Sequence, residues 1–190
     1  MRKIISFAHI SLDGFVAGPA REMNWIKVDE ELFDHISDRI GQTNAALYGR
    51  VTYDMMEGYW PHAGKEPDAS KHDRDHSQWY STAHKIVLSN TLKEAELENT
   101  TVINESNLAE KINELKQQQG SEILLFGSPS ATHALHRLNL VDGYWLFVNP
   151  IILGEGVPLF AGIAGRKNLK LIATRAFTRG VTELSFTVEK

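Results

Sequence analysis

The sequence contains no cysteine among its 190 residues. This absence excludes disulfide bridges, thiolate zinc sites and cysteine nucleophiles, and it fits a reducing compartment. A long apolar run is also missing, because the first one is interrupted at His9, Ser11 and Asp13 and is too short for a signal peptide. No other stretch has the length of a membrane span. We therefore expect a cytoplasmic protein with no membrane partner.

The sequence also lacks a strong excess of charge of either sign. The formal net charge is -4, and lysine and arginine are scattered along the chain rather than gathered in a basic block. Nucleic acid is therefore not expected as a ligand. The length and a hydrophobic content of 42% fit one domain that spans residues 1–190.

Hydrophobic periodicity predicts strands that alternate with helices. The predicted helices cover 29–40, 107–118 and 131–138, and a further helix begins over 51–56. The predicted strands cover 3–10, 45–48, 85–89, 100–103, 122–126, 144–149, 169–177 and 182–188. Residues 58–80 contain Pro61, Gly64 and Pro67 and are predicted to form a surface excursion with one helical turn near its end. The pattern indicates an α/β fold whose mixed, mainly parallel sheet has helices on both faces and ends in an antiparallel hairpin.

Three predicted strands end in glycine-bearing turns, at residues 49–52, 126–129 and 149–156. The first two turns are followed by predicted helices, so their backbone N–H groups can face a phosphate-bearing ligand. This arrangement favours a nucleotide-cofactor enzyme.

Four motifs carry a resemblance that extends over nearly the whole chain. They are SLDG at 11–14, YGRVTY at 48–53, LFGS at 125–128 and NPIILGEGVPLF at 149–160. Together they resemble the dihydrofolate reductase-like superfamily, and within it the reductase domain of the bacterial bifunctional deaminase-reductase of riboflavin biosynthesis. The resemblance implies a single-domain reductase that uses NADPH. Both the resemblance and the apolar strand at 144–148 favour a homodimer.

The resemblance implies a set of cofactor contacts. Phosphate contacts fall on Gly49, Arg50 and Thr52, adenosine contacts on Ser89 and Asn90, pyrophosphate contacts on Gly127, Ser128, Ala131 and Thr132, and nicotinamide contacts on Val16 and Ala17. The family has a second glycine where this chain has Ser128, and Pro129 follows, so the usual peptide geometry is not assured at this turn. The plainer alternatives are a helix cap with a surface arginine at 49–52 and a polar turn at 89–90.

Two carboxylates are candidates for the substrate side. Asp13 lies in the loop from Leu12 to Trp25, which corresponds to the family's mobile loop over nicotinamide and substrate. Asp34 is the nearest match to the acid that holds the pterin on the first helix of dihydrofolate reductases. A turn residue at Asp13 and a solvated helix face at Asp34 explain these residues equally well.

A metal site is a weaker possibility. His62, His72 and His76, with Asp73 and Asp75, form a polar cluster, but the glutamate of a zinc-hydrolase motif is missing. We expect this cluster to face water and to bind no metal.

The favoured function is hydride transfer from NADPH to a small ring or carbonyl substrate, similar to that of 5-amino-6-(5-phosphoribosylamino)uracil reductase. Two alternatives stay open. One is a dihydrofolate reductase that acts on a pterin, and the other is a nonenzymatic nucleotide-binding protein.

Overall fold

The computed structural model describes residues 1–93, 97–161, 163 and 165–189. Its strands are β1 (Ile4–Ile10), β2 (Phe15–Ala17), β3 (Ala45–Gly49), β4 (His84–Leu88), β5 (Thr100–Ile103), β6 (Ile123–Phe126), β7 (Gly143–Val148), β8 (Val157–Pro158), β9 (Leu169–Ala176) and β10 (Thr182–Val188). Its α-helices are α1 (Glu30–Ile40), α2 (Arg50–Ala63), α3 (Lys71–Thr82), α4 (Leu108–Gln117) and α5 (Pro129–Arg137).

Eight strands form one sheet in the order β5-β4-β3-β6-β1-β7-β10-β9. The first six strands in this order pair in parallel, whereas β10 is antiparallel to both β7 and β9. The predicted mixed sheet and its C-terminal hairpin are therefore confirmed. A separate pairing of β2 with β8, which the sequence did not predict, ties the loop after β1 to the segment after β7.

Helices cover both faces of the sheet. Buried side chains of α4 and α5, such as Ile112 and Leu135, pack in one apolar cluster. Those of α1, α2 and α3, such as Ile36, Tyr53 and Trp79, pack in a second cluster on the opposite face. The second face is rich in aromatic rings, which provide much of its buried area.

The prediction of a surface excursion at 58–80 was wrong in its secondary structure. Helix α2 continues to Ala63 and includes Pro61 in its last turn, where the helix is about to end. Helix α3 begins with a capping box in which Ser70 and Asp73 each accept a backbone N–H of the other. The proline and glycine residues of this segment argued against a helix. The Ser-x-x-Asp spacing at 70–73, however, was a sequence signal for the start of α3.

Strand β7 cannot form the surface that the sequence suggested for a homodimer. It lies between β1 and β10, and Trp145 and Phe147 are fully buried within the chain. The exposed edge is β9, all of whose residues are exposed. The homodimer stays a prediction, now without support from β7. None of the described helices is long and apolar enough to cross a membrane.

Candidate nucleotide groove and reaction crevice

The strand order creates an opening at the carboxyl ends of β1 and β6. These strands are neighbours, but β6 leads into α5 on one face of the sheet and β1 leads toward α1 on the other. Ligands of open α/β sheets bind at such a switch of direction. Because β6 ends at Phe126, opposite Phe7, the last residues of β1 have no strand on that side. We call this opening the reaction crevice.

A groove of about 360 Å³ lies beside the crevice, at the ends of β3, β4 and β5. Five of the residues predicted to contact the cofactor line it together: Gly49, Arg50, Ser89, Asn90 and Ala131. They come from three separate parts of the chain, so the fold brings together what the motifs suggested individually. We call this site the nucleotide groove.

Gly49 has a reason to be glycine that the sequence did not reveal. Its N–H donates to Ser128 Oγ over 2.8 Å, and a Cβ placed on Gly49 would lie 2.2 Å from that oxygen. Gly127 and Ser128 have φ of 52° and 41°, a region that a residue other than glycine seldom adopts. The close approach at Gly49 therefore accommodates Ser128, which links the ends of β3 and β6.

Two arginines give the groove its positive charge. Arg50 is the first residue of α2, and its Nε lies 2.7 Å from the carboxylate of Asp54 one turn later. Arg137, which the sequence analysis missed, comes from the last turn of α5 and lies 3.9 Å from Glu105. Both side chains keep more than a third of their surface exposed. Guanidinium groups in this setting can bind phosphate oxygens.

The polar rim of the groove is ordered by local hydrogen bonds. Asn90 Oδ1 accepts the N–H of Glu105 over 2.9 Å, which joins the turn after β4 to the turn after β5. Ser89 Oγ accepts the N–H groups of Thr91 and Leu92. Ser89 and Asn90 therefore stabilise a polar turn, as the alternative interpretation states. Both residues also line the groove.

Six predicted contacts lie outside the lining of the groove: Val16, Ala17, Thr52, Gly127, Ser128 and Thr132. Thr132 is fully buried, and its hydroxyl lies 3.5 Å from that of Ser6 beneath α5. Thr52 is partly buried in the first turn of α2 and does not line the groove. Their positions give no direct route to a ligand in the groove.

The loop after β1 is fastened to the segment 150–160. Val16 and Ala17 are buried in β2, next to β8. Gly156 has φ of 150°, and a Cβ on it would lie 2.2 Å from the carbonyl oxygen of Ala17. The glycine-rich run that marked the resemblance thus acts by close backbone packing against the loop that was predicted to cover the nicotinamide.

Asp13 belongs to the same attachment. Its carboxylate accepts the hydroxyl of Ser11 over 2.6 Å and the N–H groups of Leu153 and Gly154 over 3.1 and 2.8 Å. These hydrogen bonds, that from Ser11 first, lower the pKa of Asp13. A carboxylate held ionised in this way suits an anchor and not a proton donor, so the geometry does not support the predicted catalytic role.

Asp34 is not placed beside Asp13. It is exposed on α1, and its carboxylate lies 2.7 Å from Nζ of Lys71 on α3. The solvated-face interpretation describes this arrangement, and the geometry offers no support for a proton donor at this position.

His9 is a polar residue of the crevice that the sequence analysis did not select. The side chains of β1 alternate, and His9 projects toward the aromatic face, where its ring stacks on Phe147 with centroids 5.2 Å apart. Its Nδ1 is buried and has no hydrogen-bond partner among the described residues, although the residue keeps some exposure. Burial lowers the pKa of His9 to about 4, so the imidazole is neutral near pH 7. The sequence signal that could have identified His9 is a polar residue near the end of an otherwise apolar strand.

The expectation that the histidine cluster faces water holds for His62 and Asp75, which are exposed, but not for His72 and His76. His76 is 6% exposed and stacks on Trp60 with centroids 3.8 Å apart. His72 stacks on Phe33, and its Nδ1 lies 3.1 Å from the hydroxyl of Ser37. Apolar packing between α1, α2 and α3 therefore accounts for both rings. Among the described residues, no group of three or more His, Asp or Glu side chains is placed to hold a metal ion.

Comparison with known proteins agrees with this architecture. The family model described as the RibD C-terminal domain matches residues 2–182. The uncharacterized protein YyaP of Bacillus subtilis (strain 168) is 33% identical over 188 residues, which cover 97% of this chain and 94% of YyaP.

Solved structures show the same fold at low identity. A putative riboflavin biosynthesis protein from Shewanella sp. PV-4 superposes with a TM-score of 0.73 at 18% identity and covers 99% of both chains. A dihydrofolate reductase from Enterococcus faecalis, complexed with NADP(H) and RAB-propyl, gives a TM-score of 0.62 at 12% identity, and the match covers 99% of this chain and 97% of the reductase chain. The predicted dihydrofolate reductase-like fold is confirmed.

Proposed function

Since the chain belongs to the RibD C-terminal domain family, we propose that it is an NADPH-dependent reductase of the riboflavin-biosynthesis type. The observation that carries the proposal is the convergence of Gly49, Arg50, Ser89 and Asn90 on one groove beside the reaction crevice. The groove and the crevice occupy the same edge of the sheet, so one extended dinucleotide can reach both.

The residues of the groove fit the phosphate-bearing half of NADPH. Arg50 and Arg137 supply guanidinium donors, and Ser89 and Ser130 supply hydroxyl groups in the same lining. No carboxylate other than that of Glu105 lines this part of the described chain, so cations outnumber acids there. This balance favours an anionic ligand.

The cofactor, when bound, supplies the hydride, and the chain supplies orientation and a dry environment. We propose that Val16 and Ala17 border the nicotinamide and that Asp13 keeps their loop fastened to residues 153–154. A loop held in place by backbone hydrogen bonds reduces the motion of the reactants and excludes water.

We propose His9 as the polar group that contacts the substrate. A neutral imidazole with its proton on Nε2 can donate a hydrogen bond to a carbonyl or imine acceptor and so stabilise the negative charge that hydride addition produces. The rings of Phe147 and Phe7 are buried and pack against the imidazole, so they hold His9 in place. A ribosylaminopyrimidine phosphate has both a flat ring and ring carbonyl groups.

The test is turnover of 5-amino-6-(5-phosphoribosylamino)uracil by the purified chain, followed by the loss of NADPH absorbance. Dihydrofolate is the parallel substrate, because the exposed, lysine-paired Asp34 does not favour a pterin site. We expect oxidation of NADPH with the aminopyrimidine and none with dihydrofolate. Tight NADPH binding without turnover of either substrate would favour the nonenzymatic alternative.

A further inference from the structure

A second cavity, of about 720 Å³, lies away from the nucleotide groove and shares no lining residue with it. It is bounded by the C-terminal halves of α2 and α3 and by the start of β4, and Lys85 of β4 forms part of its wall. The proposed reduction uses no group in this cavity. We call it the Lys85 cavity.

Lys85 is the unusual member of this wall. The residue is only 7% exposed, yet within the described chain its ammonium has no hydrogen bond and no carboxylate within ion-pair distance. It lies 4.6 Å from the ring centroid of Tyr80, which provides a cation–π contact. The ring face does not satisfy the three N–H donors of an ammonium group, so Lys85 retains donors for an oxygen ligand.

Two more cations surround the same space. Lys65 at the end of α2 and Arg74 of α3 line the cavity, and neither has an ion-pair partner among the described residues. The acids of the wall are Glu57 and Glu98, and Glu57 already accepts the hydroxyl of Tyr80 over 2.7 Å. Among the described residues of the wall, three cations therefore face two carboxylates, in a protein whose net charge is -4.

We propose that the Lys85 cavity is a binding site for a small anion, a phosphate or carboxylate group, which is held by the ammonium of Lys85 with Arg74 and Lys65 at its entrance. Ser77 of α3 lies in the same wall; its hydroxyl accepts the N–H of Gly64 and keeps its own O–H as a neutral donor, whereas the hydroxyl of Ser81 already donates to the carbonyl of Gln78. The Lys85 side chain lines the cavity, and its ammonium has no protein acceptor among the described residues, so a bound anion can accept its N–H groups.

The charged state of Lys85 gives the site a pH dependence. Burial lowers the pKa of Lys85, while the nearby charges of Glu57 and Glu98 act in the opposite direction. The hydroxyl groups of Tyr53 and Tyr80 also line the cavity, and burial raises the pKa of both, so they stay neutral where lysine titrates. A bound anion stabilises the ammonium form, so binding must raise the pKa of Lys85, and affinity must fall as pH rises through that pKa.

The experiment is a titration of the full chain, labelled with ¹³C at lysine Cε, with inorganic phosphate at constant ionic strength, followed by NMR. We expect the Lys85 signal to shift saturably and its pKa to rise. Succinate in a parallel titration distinguishes a phosphate ligand from a carboxylate ligand. Lys85→Met keeps the side-chain length and should weaken binding by about tenfold or more, because a charge-assisted hydrogen bond is lost.

Lys170→Met is the matched control, because Lys170 is an exposed lysine on β9 outside the cavity. It should leave anion binding unchanged, and neither variant should alter NADPH affinity. Should Lys85→Met fail to fold, Arg74→Gln at the exposed entrance should still weaken binding several-fold. The proposal is overturned if the Lys85 signal does not respond to either anion, or if a folded Lys85→Met variant binds as well as the parent protein.

Discussion

The nucleotide groove and the reaction crevice lie at one edge of the sheet but are built in different ways. The groove is lined by arginine, serine and asparagine side chains on turns that follow strands. At the crevice the partly exposed imidazole of His9 rests on buried aromatic rings of β1 and β7. In the proposed function this difference separates affinity from chemistry: the groove would provide the donors that hold an anionic cofactor, and the crevice would provide the polar group that contacts the substrate.

The largest effect should come from the crevice. His9→Phe keeps an aromatic ring against Phe147 but removes the proposed donor, so turnover of the aminopyrimidine should fall by about 10²–10³-fold. NADPH affinity should stay unchanged, because His9 does not line the groove. His9→Gln restores a donor and should recover part of the rate. A fall in cofactor affinity equal to the fall in turnover would contradict the separation of the two regions.

The next effect should come from the link between the two regions. Gly49→Ala places a Cβ 2.2 Å from Ser128 Oγ, so it should reduce the free energy of unfolding by about 1–3 kcal/mol and weaken NADPH binding. Ser128→Ala is the matched partner, because the remaining neighbours of that Cβ lie at 3.4 Å or more.

The Gly49→Ala/Ser128→Ala double variant should therefore be less damaged than the sum of the two single variants. Denaturant unfolding and NADPH titration of all four proteins measure this coupling. Strict additivity would show that the contact between β3 and the turn after β6 does not set the geometry of the groove.

A buried histidine remote from the groove should affect folding alone. Burial lowers the pKa of His76 to about 3, below the ordinary value of 6.5, so the unfolded chain takes up this proton first as pH falls. Its contribution is intact above pH 6.5 and is lost as pH falls toward the folded pKa, with about 2 kcal/mol lost by pH 5.

The free energy of unfolding of the parent protein should fall between pH 7 and pH 5, in part because of His76. His76→Phe should lack this contribution of about 2 kcal/mol and should leave turnover unchanged. Urea unfolding of both proteins at the two pH values measures it, with His9 and His136 present in each as the common background. An unchanged pH dependence would mean that His76 is not held neutral by its packing against Trp60.

The smallest effect should come from one phosphate contact. Arg50→Ala should weaken NADPH binding by about tenfold, since one charge-assisted contact of roughly 1.4 kcal/mol is lost. Arg50→Lys keeps the charge, so its NADPH affinity should lie between those of the parent protein and Arg50→Ala. Fluorescence titration measures all three affinities, and unchanged affinity in the alanine variant would remove Arg50 from the site.

The success of the sequence prediction differs between these regions for a physical reason. The alternation of strands and helices follows from local periodicity, and the groove follows from short motifs at strand ends, such as Gly49-Arg50 and Ser89-Asn90. Contacts between segments that are distant in sequence could not be predicted from local periodicity or short motifs. The hydrogen bonds from Leu153 and Gly154 to Asp13, the burial of His76 and the enclosure of β7 depend on packing across the fold, and the corresponding predictions were wrong or incomplete.

The most direct test of the account is a calorimetric titration of the full chain with NADPH, combined with hydrogen exchange of the backbone. We predict saturable binding, with protection at residues 49–50, 89–90 and 127–131 and none around the Lys85 cavity. Absence of saturable binding, or protection confined to residues outside the nucleotide groove, would contradict the account.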